Sequence, residues 1–542
     1  MKLARLLCFS AVILSFSNFL FAQTAPNFEN GWKPYGTYDG SHLDTVNLMN
    51  GNLMLHAALL PSIPQRGSLS LDYTIYLSSK DWQVVCTPNP DSPSGQICNW
   101  KKGGTGIRIV RPFDVSVHRT LETSGSGTGT VTFMAYGYTV SSADGATHEL
   151  YGVAGSEDAN GIPTIYDSVD LTGYHLQMSV LDENDVPSTF TLTDRGGNVF
   201  QGTFPSFNIG CKNNHGNELS GGSHQPLIDD APFGDTFCSE TAGPTLVTDS
   251  NGNQISLSAT NISGLNLTFL MPTGGTDTLG RAIPPIAPTG ANPWPCVTTR
   301  SIVSTFVFDY QAPDGTVRQA KLCSANVPIQ TAFNLSGVNE AVTGVNGMEF
   351  YPIVSLVLAD GSTWSFDYDG YGELTNVGLP TGGSISYTWQ TIGLNKCGTA
   401  TPFSRAVKTR TLADGQGNTF KWTYNWGTAS PTAITNSVTD PAGNDTVHAF
   451  TSQGGNCNLF ETSVTEYQGA QGANQPLRKV DTTYSSTGTI NTFATDITTT
   501  LYPSGKVKKV HHDPDPGLGA GLPIFGNVVK ELEYDWGQGA PG

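Results

Sequence analysis

The sequence predicts an all-β protein in which Gly-rich hairpin repeats form a large stacked or spiralling β-sheet shell, with a β-sandwich-like N-terminal region. Three observations predict this fold class. The 542 residues include 62 Gly and 33 Pro, which mark turns, whereas charged residues make up only 13%. Aromatic residues, at 10%, supply apolar surface for a core. Short apolar alternations separated by Gly-containing turns recur along the chain, and no convincing amphipathic helix lies between them.

Residues 1–22 have the pattern of a secretory signal peptide. Lys2 and Arg5 precede an apolar run, and Ala22 lies at a plausible cleavage point. No later segment reaches the roughly 18 consecutive apolar residues of a membrane-spanning helix. The mature chain is therefore expected to be exported, to the extracellular space, the cell surface or the periplasm, without a transmembrane segment. The formal net charge of −18 argues against nucleic acid as a partner.

The remaining chain divides into two predicted regions, 23–300 and 301–542. In the first, Asn50-Gly51 predicts a hairpin turn, and the segment LSLDYTIYL at 69–77 alternates as a half-buried strand does. In region 301–542, strand–turn–strand units recur at short intervals. A single hairpin is only marginally stable in water, so these units are expected to stack and bury one another.

Eight of the nine cysteines follow the signal peptide, and an even number in an exported chain favours disulfides. Eight cysteines allow about 105 connectivities. Closure between sequence neighbours is preferred, and each bridge would contribute about 2–4 kcal/mol. A zinc site is disfavoured because no C-x-x-C pair exists. The irregular segments 205–243 and 271–297 are expected to be long loops pinned by disulfides. The preferred pairs are Cys86–Cys98, Cys211–Cys238, Cys296–Cys323 and Cys397–Cys457.

The most regular unit is SLVLADGSTWSFDYDGYGELTNVGLPTGGSISYTW, residues 355–389. Trp364, Phe366 and Tyr368 alternate with polar residues, which places three aromatic rings on one face of a strand. The segments DGYG and PTGG predict two turns, since Gly adopts the positive φ that tight hairpins need. These positions are structural, so the unit predicts how the chain folds and leaves its binding residues unknown.

This unit resembles the YD repeat of RHS-type proteins, whose pattern runs Y-x-Y-D-x-x-G-x-L-x-x-V-x-x-P-x-G before an aromatic strand. The segments DTLGR at 277–281, GNV at 526–528 and YD at 534–535 resemble parts of further units. The resemblance implies the N-terminal and repeat part of an exported bacterial protein with a β-sheet shell, which often precedes a variable C-terminal segment that can be a toxin. The residues that match the long unit are Phe366, Tyr368, Asp369, Gly372, Leu374, Val377, Pro380, Gly382 and Tyr387.

The chain departs from the repeat pattern after Trp389. Gln390 stands where the pattern has Asp, and an inserted segment containing Cys397 displaces the next unit. Such proteins usually carry many more repeats, and this chain stops at residue 542 in mid-pattern, which predicts truncation at the C-terminus. The motif that releases a toxin by proteolysis is not evident in the sequence.

No motif predicts catalysis, and no cofactor or metal is expected. A G-x-S-x-G nucleophile elbow is absent from the sequence. Asp249, Asn251 and Asn253 begin like a calcium loop. Gln254 and Thr260 replace the Gly and Glu that such a loop requires, so a turn with Asx hydrogen bonds is expected there.

Other polar clusters are expected to be solvated turns. His511 and His512, with Asp513 nearby, come nearest to a metal site, but adjacent residues of a strand point to opposite faces. The acidic segments 182–185 and 229–230 could form a glycosidase pair only if they faced each other across a cleft.

The leading hypothesis is an exported, non-catalytic β scaffold that binds or encloses a partner. Candidate partners are extracellular polysaccharide, another protein, or the chain's own C-terminal segment. Two alternatives remain open: a shell that delivers a C-terminal toxin lying beyond this chain, and a carbohydrate-active hydrolase that uses paired acids.

Overall fold

The computed structural model describes residues 36–542 with gaps. The longer gaps are 182–186, 205–210, 213–217, 220–235, 271–277, 281–291, 394–402, 454–458 and 515–527, and shorter ones occur between residues 60 and 490. The signal peptide, both acidic segments, Cys397 and Cys457 lie outside the described residues. Within the described part the secondary structure is β-strand, with a short 3-10 helix at Gln471–Ala473 and no α-helix. The predicted all-β class is confirmed.

The described part of the chain begins with nine short strands, which belong to three sheets. Their bounds are β1 (Tyr38–Gly40), β2 (Asp44–Asn47), β3 (Leu53–Ala58), β4 (Ile63–Pro64), β5 (Ser70–Leu71), β6 (Thr74–Ser78), β7 (Trp82–Pro88), β8 (Gln96–Lys102) and β9 (Arg108–Val110). An antiparallel sheet in the order β1-β2-β3-β6-β9 forms what we call the N-terminal layer. The β7–β8 hairpin carries the Cys86–Cys98 disulfide.

The next fourteen strands form a second region with its own core. Their bounds are β10 (Ser116–Ser126), β11 (Thr130–Ser141), β12 (Thr147–Gly152), β13 (Ile165–Ser168), β14 (His175–Leu181), β15 (Pro187–Thr193), β16 (Val199–Thr203), β17 (Cys211–Lys212), β18 (Glu218–Leu219), β19 (Thr236–Ala242), β20 (Pro244–Thr248), β21 (Gln254–Ser256), β22 (Ala259–Ile262) and β23 (Leu267–Leu270). Strands β10 to β21 make one twelve-stranded sheet, and β22 pairs with β23. Val117, Tyr138, Leu176, Leu192 and Phe200 are among the buried residues of its core.

The remaining strands build the largest sheet. Their bounds are β24 (Ile302–Gln311), β25 (Val317–Ala325), β26 (Val338–Asn339), β27 (Ile353–Val357), β28 (Thr363–Tyr368), β29 (Leu374–Gly378), β30 (Ser384–Gly393), β31 (Phe403–Ala413), β32 (Thr419–Asn425), β33 (Ala433–Thr439), β34 (Asp445–Ser452), β35 (Leu459–Tyr467), β36 (Pro476–Thr487), β37 (Asn491–Leu501), β38 (Lys506–Pro514) and β39 (Val528–Gln538). All except β26, which pairs in parallel with β8, form a fifteen-stranded sheet that we call the repeat sheet. Its strands follow sequence order.

The N-terminal layer and the repeat sheet bury one common core. Val46, Leu53 and Ile75 of the layer belong to the same buried cluster as Phe366 and Ile385 of the repeat sheet. Each large apolar side chain that is buried fully stabilises the fold by about 1.5–3 kcal/mol, which isolated hairpins cannot realise. The first strands of the chain therefore complete a core whose other half is formed by residues hundreds of positions later.

The predicted alternation in the repeat unit is realised in β28. Trp364, Phe366 and Tyr368 are 6%, 1% and 4% exposed, whereas the intervening residues are half-buried. The Tyr368 hydroxyl donates a hydrogen bond to the Ile353 carbonyl oxygen at 2.9 Å. The aromatic face of this strand is therefore part of the core, as the period of two predicts.

Four of the hairpin turns share the sequence Asp-x-x-Gly-Asn. In each, the Asp Oδ1 accepts the backbone N–H of the Asn at 2.8–3.1 Å, and the Asp Oδ2 accepts its Nδ2–H at 2.6–3.0 Å. The predicted Asx turn at Asp249 is one of them. These bonds are formed within five residues, so each turn is specified locally. The four turns are 194–198, 249–253, 414–418 and 440–444.

Replacing Asp440 by Ala is expected to lower the free energy of unfolding by about 1 kcal/mol, since the turn loses the acceptor of three hydrogen bonds. Asp440→Asn keeps one side-chain oxygen as an acceptor and is expected to cost less. Denaturant unfolding of both variants measures the difference. Equal losses in the two variants would contradict a role for the carboxylate oxygens.

Two disulfides are formed within the described residues, Cys86–Cys98 and Cys296–Cys323. Both are among the pairs that sequence proximity favours. The backbone places Cys211 of β17 opposite Cys238 of β19 in register. The Cys296–Cys323 disulfide joins the segment before the repeat sheet to β25.

Candidate functional site

The nine residues that match the repeat pattern lie in β28, β29, β30 and the two turns between them. Phe366, Tyr368, Leu374, Val377 and Tyr387 are buried, Asp369 and Gly372 lie in the first turn, and Pro380 and Gly382 lie in the second. Gly372 has φ of +67°, and a Cβ there would lie 2.9 Å from the Phe350 ring, so only Gly fits without strain. The structure thus brings these residues together as core and turn positions.

The turn from Asp369 to Glu373 has the same geometry as the Asp-x-x-Gly-Asn turns, but ends in Glu. The Asp369 Oδ1 accepts the N–H groups of Tyr371 and Glu373, each at 2.9 Å. In place of an Asn amide, the Asp369 Oδ2 has the Arg405 Nη2 at 3.5 Å. The Glu373 side chain therefore makes no hydrogen bond within its own turn.

Glu373 is a buried carboxyl group without a hydrogen-bond partner. It is 1% exposed, and neither of its side-chain oxygens has a partner within the described part of the chain. Burial raises the pKa of Glu373 to about 8, and the charges of Asp81 and Asp369 act in the same direction. Lys102 and Arg405 oppose that increase. A carboxyl group with this pKa is mostly protonated at neutral pH.

Lys80, between β6 and β7, is a second buried ionisable group at this place. Its Nζ donates to the Ser404 Oγ and to the Arg405 carbonyl oxygen, each at 2.5 Å. Burial lowers the pKa of Lys80 to about 7, although the nearby Glu373 favours its charged form. Both groups therefore titrate near neutral pH, as acid–base catalysts do.

Their burial argues for a structural role instead. Glu373 and Lys80 are 1% and 8% exposed, which leaves almost no surface for a substrate to touch. Beside them, the Lys102 Nζ lies 2.7 Å from the Asp81 Oδ1 and packs over the rings of Trp82 and Phe350. This first buried cluster joins the β6–β8 segment to β29 and β31.

A second buried cluster fixes the N-terminal layer on the repeat sheet. Asp44 of β2 is fully buried, and the Arg410 guanidinium binds both of its oxygens, with Nε at 2.5 Å and Nη2 at 2.6 Å. The Tyr387 hydroxyl donates to the Asp44 Oδ2 at 2.8 Å. Burial acts to raise the pKa of Asp44, but the hydrogen bonds and charge of Arg410 outweigh it and hold that pKa below its usual value.

Besides its two hydrogen bonds to Asp44, Arg410 contacts an aromatic ring. Its guanidinium lies 4.6 Å from the centre of the Trp422 ring. Close by, the Tyr424 hydroxyl donates to the Asp39 Oδ2 at 2.7 Å. Tyr387 was predicted as a repeat position, whereas Asp44, Arg410, Lys80 and Glu373 were not singled out in the sequence. For Glu373 a signal exists, because it occupies the Asn position of a recurring turn.

A Ser–His–Asp arrangement occurs near the end of β11. The His148 Nε2 lies 3.1 Å from the Ser142 Oγ, and its Nδ1 lies 2.6 Å from the Asp170 Oδ2. The Ser142 hydroxyl also contacts the Asp144 Oδ1, and the single hydroxyl proton cannot serve two acceptors. Since these bonds close a turn, the arrangement is better suited to holding that turn than to nucleophilic attack.

The two adjacent histidines of β38 face opposite sides of the repeat sheet. The His511 ring lies between Asp496 at 2.7 Å and Asp513 at 3.1 Å, and these hydrogen bonds raise its pKa. The His512 Nε2 lies 3.0 Å from the Glu531 Oε2. Among the described residues, no group of three or more His, Cys, Asp or Glu could hold a metal ion.

One surface groove of about 370 Å³ lies at the β24–β25 hairpin. Its lining includes one carboxylate, Asp309, where hydrolysis of a glycoside uses a pair. Asp309 accepts a hydrogen bond from the Gln319 Nε2 at 3.0 Å. The lining residues are Asn292, Pro293, Asp309, Val317, Arg318, Gln319 and Ala359.

In the described residues, no helix is both long enough and apolar enough to cross a membrane.

Comparison with known proteins places the chain in no family. No family model matches it, and no curated protein is similar in sequence. A crystal structure of TcdB2-TccC3-Cdc42 aligns with 92% of this chain and 25% of that chain, at 9% identity and a TM-score of 0.18. The alignment therefore spans about a quarter of the length of that chain, and a likeness at this level carries no argument about fold or function.

Proposed function

We propose that the chain is an exported, non-catalytic β scaffold of the RHS type that binds or encloses a partner. The observation that carries this proposal is a face of the repeat sheet that is covered by the N-terminal layer at one end and is less buried farther along. Over β33 and β34 this face packs on the N-terminal layer, where the Asn436 Nδ2 donates to the Leu48 carbonyl oxygen at 2.8 Å. Asn436 begins a row of directly paired residues on this face. It pairs with His448 of β34, His448 pairs with Val464 of β35, and Val464 pairs with Val480 of β36.

Burial falls along this row. Asn436 and His448 are 3% and 7% exposed, whereas Val464, Val480 and Lys508 farther along are only half-buried. The face that holds the N-terminal layer is thus covered as far as the start of β35, where Leu459 is 3% exposed, and is less buried over β36 to β38 within the described structure. A partly exposed sheet face beside a covered one suits a protein that holds a partner, such as a polysaccharide or another protein.

The buried ionisable groups support a role without turnover. Asp44, Arg410, Lys80 and Glu373 all lie between the two layers, and the Ser142 hydroxyl is engaged by a neighbouring carboxylate. The disulfides are compatible with export, since such bonds persist in oxidising compartments.

A paired assay tests this proposal on the purified mature chain. A panel of polysaccharides and proteins is immobilised, and both retention of the chain and release of soluble product are measured. We expect saturable retention on some member of the panel without product. Ser142→Ala and Asp309→Asn remove the nearest candidates for a nucleophile and an acid, and retention is expected to be unchanged in both. Product formation that co-elutes with the chain and is lost in either variant would overturn the proposal.

A further inference from the structure

In the first buried cluster, the amine of a lysine touches the carboxyl group of an aspartate away from water. Lys102 is the last residue of β8, and Asp81 immediately precedes β7, so both lie at the end of this hairpin opposite its turn. The Lys102 Nζ lies 2.7 Å from the Asp81 Oδ1, and the two side chains are 4% and 12% exposed. The Gly103 N–H donates to the Asp81 carbonyl oxygen at 2.6 Å, which holds the two strand ends together.

Two aromatic rings flank the amine of this pair. The Lys102 Nζ lies 5.2 Å from the centre of the Trp82 ring and 5.3 Å from that of the Phe350 ring. Apolar surroundings disfavour charged groups. Burial accordingly raises the pKa of Asp81, although the charge and hydrogen bond of Lys102 oppose the increase. When a proton passes from the Lys102 ammonium to the Asp81 carboxylate, a neutral amine lies beside a neutral carboxylic acid.

Glu373 brings a second carboxyl group to the same place. After burial, the charges of Lys102 and Asp81 act most strongly on its pKa. The chain passes close to the lysine there, since a Cβ on Gly372 would lie 3.0 Å from the Lys102 Cε. Both side-chain oxygens of Glu373 are buried without a hydrogen-bond partner in the described part of the chain, which is costly for a group that only fills space. A protonated carboxyl group with unused oxygens can both donate and accept a proton.

Other ion pairs of the chain lack one of these conditions. The Lys509 Nζ also lies 2.7 Å from the Asp496 Oδ1, but those side chains are 31% and 26% exposed, so water solvates both ions. In the second buried cluster the base is Arg410, whose guanidinium stays protonated and is not a nucleophile. The pair of Lys102 and Asp81 combines a primary amine, direct contact and burial.

We propose that Lys102 and Asp81 condense to an isopeptide bond at the base of the β7–β8 hairpin, with Glu373 relaying the protons. The lone pair of the Lys102 Nζ attacks the Asp81 Cγ, and a C–N bond forms. Glu373 donates its proton to the hydroxyl oxygen of Asp81, which leaves as water, and takes a proton back from the nitrogen. One amine and one carboxylic acid thus give one amide and one water molecule, without an oxidant, a reductant or an outside reactant.

The fold favours this reaction because both reactants belong to the chain. Groups held in contact react as if at effective concentrations of about 10⁵–10⁸ M. The burial that keeps an outside substrate away therefore does not hinder it. The new bond closes the hairpin at its base, whereas the Cys86–Cys98 disulfide closes it near its turn. The inference goes beyond the scaffold proposal and needs no turnover, since each chain reacts once.

The intact mass of the purified chain, reduced and denatured, tests the proposal. We expect a mass that is lower by one water molecule than the mass calculated from the sequence. Chymotrypsin, which cuts after Trp82 and Trp100, is expected to release a branched peptide that joins the segment ending at Trp82 to the segment beginning at Lys101. In the same digest, the exposed pair of Lys509 and Asp496 is expected to stay unlinked.

Three variants identify the groups that react. Lys102→Arg keeps a positive charge beside Asp81 but cannot condense, and Glu373→Gln keeps both reacting groups but loses the proton relay. Both variants are expected to show the full calculated mass. Glu349→Gln changes an exposed carboxyl group and is expected to lose one water molecule as the natural chain does.

A natural chain with its full calculated mass overturns the proposal, whether or not any variant folds. Loss of water without the branched peptide overturns it too, because an internal dehydration such as a succinimide has the same mass. A branched peptide that still forms in Glu373→Gln overturns the role of Glu373.

Discussion

Replacing Arg410 by Met is expected to lower the free energy of unfolding by about 3–5 kcal/mol. The substitution removes the partner that binds both oxygens of Asp44, while the carboxylate stays fully buried between the layers. The hydroxyls of Tyr387 and Ser41 still donate to Asp44, at 2.8 and 2.7 Å, but two neutral donors do not compensate a fully buried charge. Denaturant unfolding of the mature chain with its disulfides intact measures the loss.

The matched control is Arg318→Met, which breaks an ion pair with Asp314 whose side chains are 50% and 51% exposed. Exposed pairs contribute little, so its effect is expected to be far smaller than that of Arg410→Met. The double variant Asp44→Asn/Arg410→Met removes both charges and is expected to recover part of the loss. A single Arg410 variant as stable as the Arg318 variant would show that the Asp44 cluster does not hold the layers together.

Glu373→Gln is expected to change how stability depends on pH. In the natural chain burial raises the pKa of Glu373 to about 8, well above the ordinary value of 4.5. A group whose pKa is raised on folding stabilises the fold fully below its unfolded pKa, and this contribution is lost as pH rises through the folded pKa. From pH 4.5 to pH 8 the natural chain should therefore lose on the order of 4 kcal/mol relative to the variant.

Lys80 titrates in the opposite sense, which defines the best window for the measurement. Burial lowers the pKa of Lys80 to about 7, so its contribution is present above the unfolded value of 10.5 and lost as pH falls towards 7. Between about pH 5 and pH 6.5 Lys80 is mostly charged in both states. His511, whose pKa is raised, titrates in both chains alike, so the difference in stability between the natural chain and Glu373→Gln isolates Glu373, with a slope on the order of 1 kcal/mol per pH unit. Unfolding of the natural chain, Glu373→Gln and the exposed control Glu349→Gln across this window measures that slope. Parallel profiles for all three would contradict a raised pKa of the buried Glu373 carboxyl group.

The alternation of residues was sufficient to predict which face of a repeat strand is buried. Trp364, Phe366 and Tyr368 lie in the core because a period of two assigns them to one face. Alternation does not say what covers that face. The partner is the N-terminal layer, and the contacts that fix it, such as Arg410 to Asp44, join residues 366 positions apart. Such contacts leave no trace in local pattern, and the pairing of the layers could not be predicted.

The buried clusters were missed for a related reason. Asp44 and Lys80 are polar residues beside apolar strands, where a surface position is the ordinary expectation. Their burial depends on partners supplied by β31, which the local sequence does not reveal. Glu373 is different, since alignment of the recurring turns shows it in place of Asn and marks it as an exception. The turn motif itself was visible in the sequence at Asp249, where the predicted Asx hydrogen bonds are present.

The order of strands in the repeat sheet has a consequence for how the chain folds. From β27 to β39 each strand pairs with the next one along the chain, so most of this sheet forms by closing short loops. The N-terminal layer is different, because its bonds to Tyr387 and Arg410 span 343 and 366 residues. Contacts of high sequence separation form slowly. The strands that are synthesised first are thus expected to dock last, and until then the apolar face of the layer stays exposed to other chains.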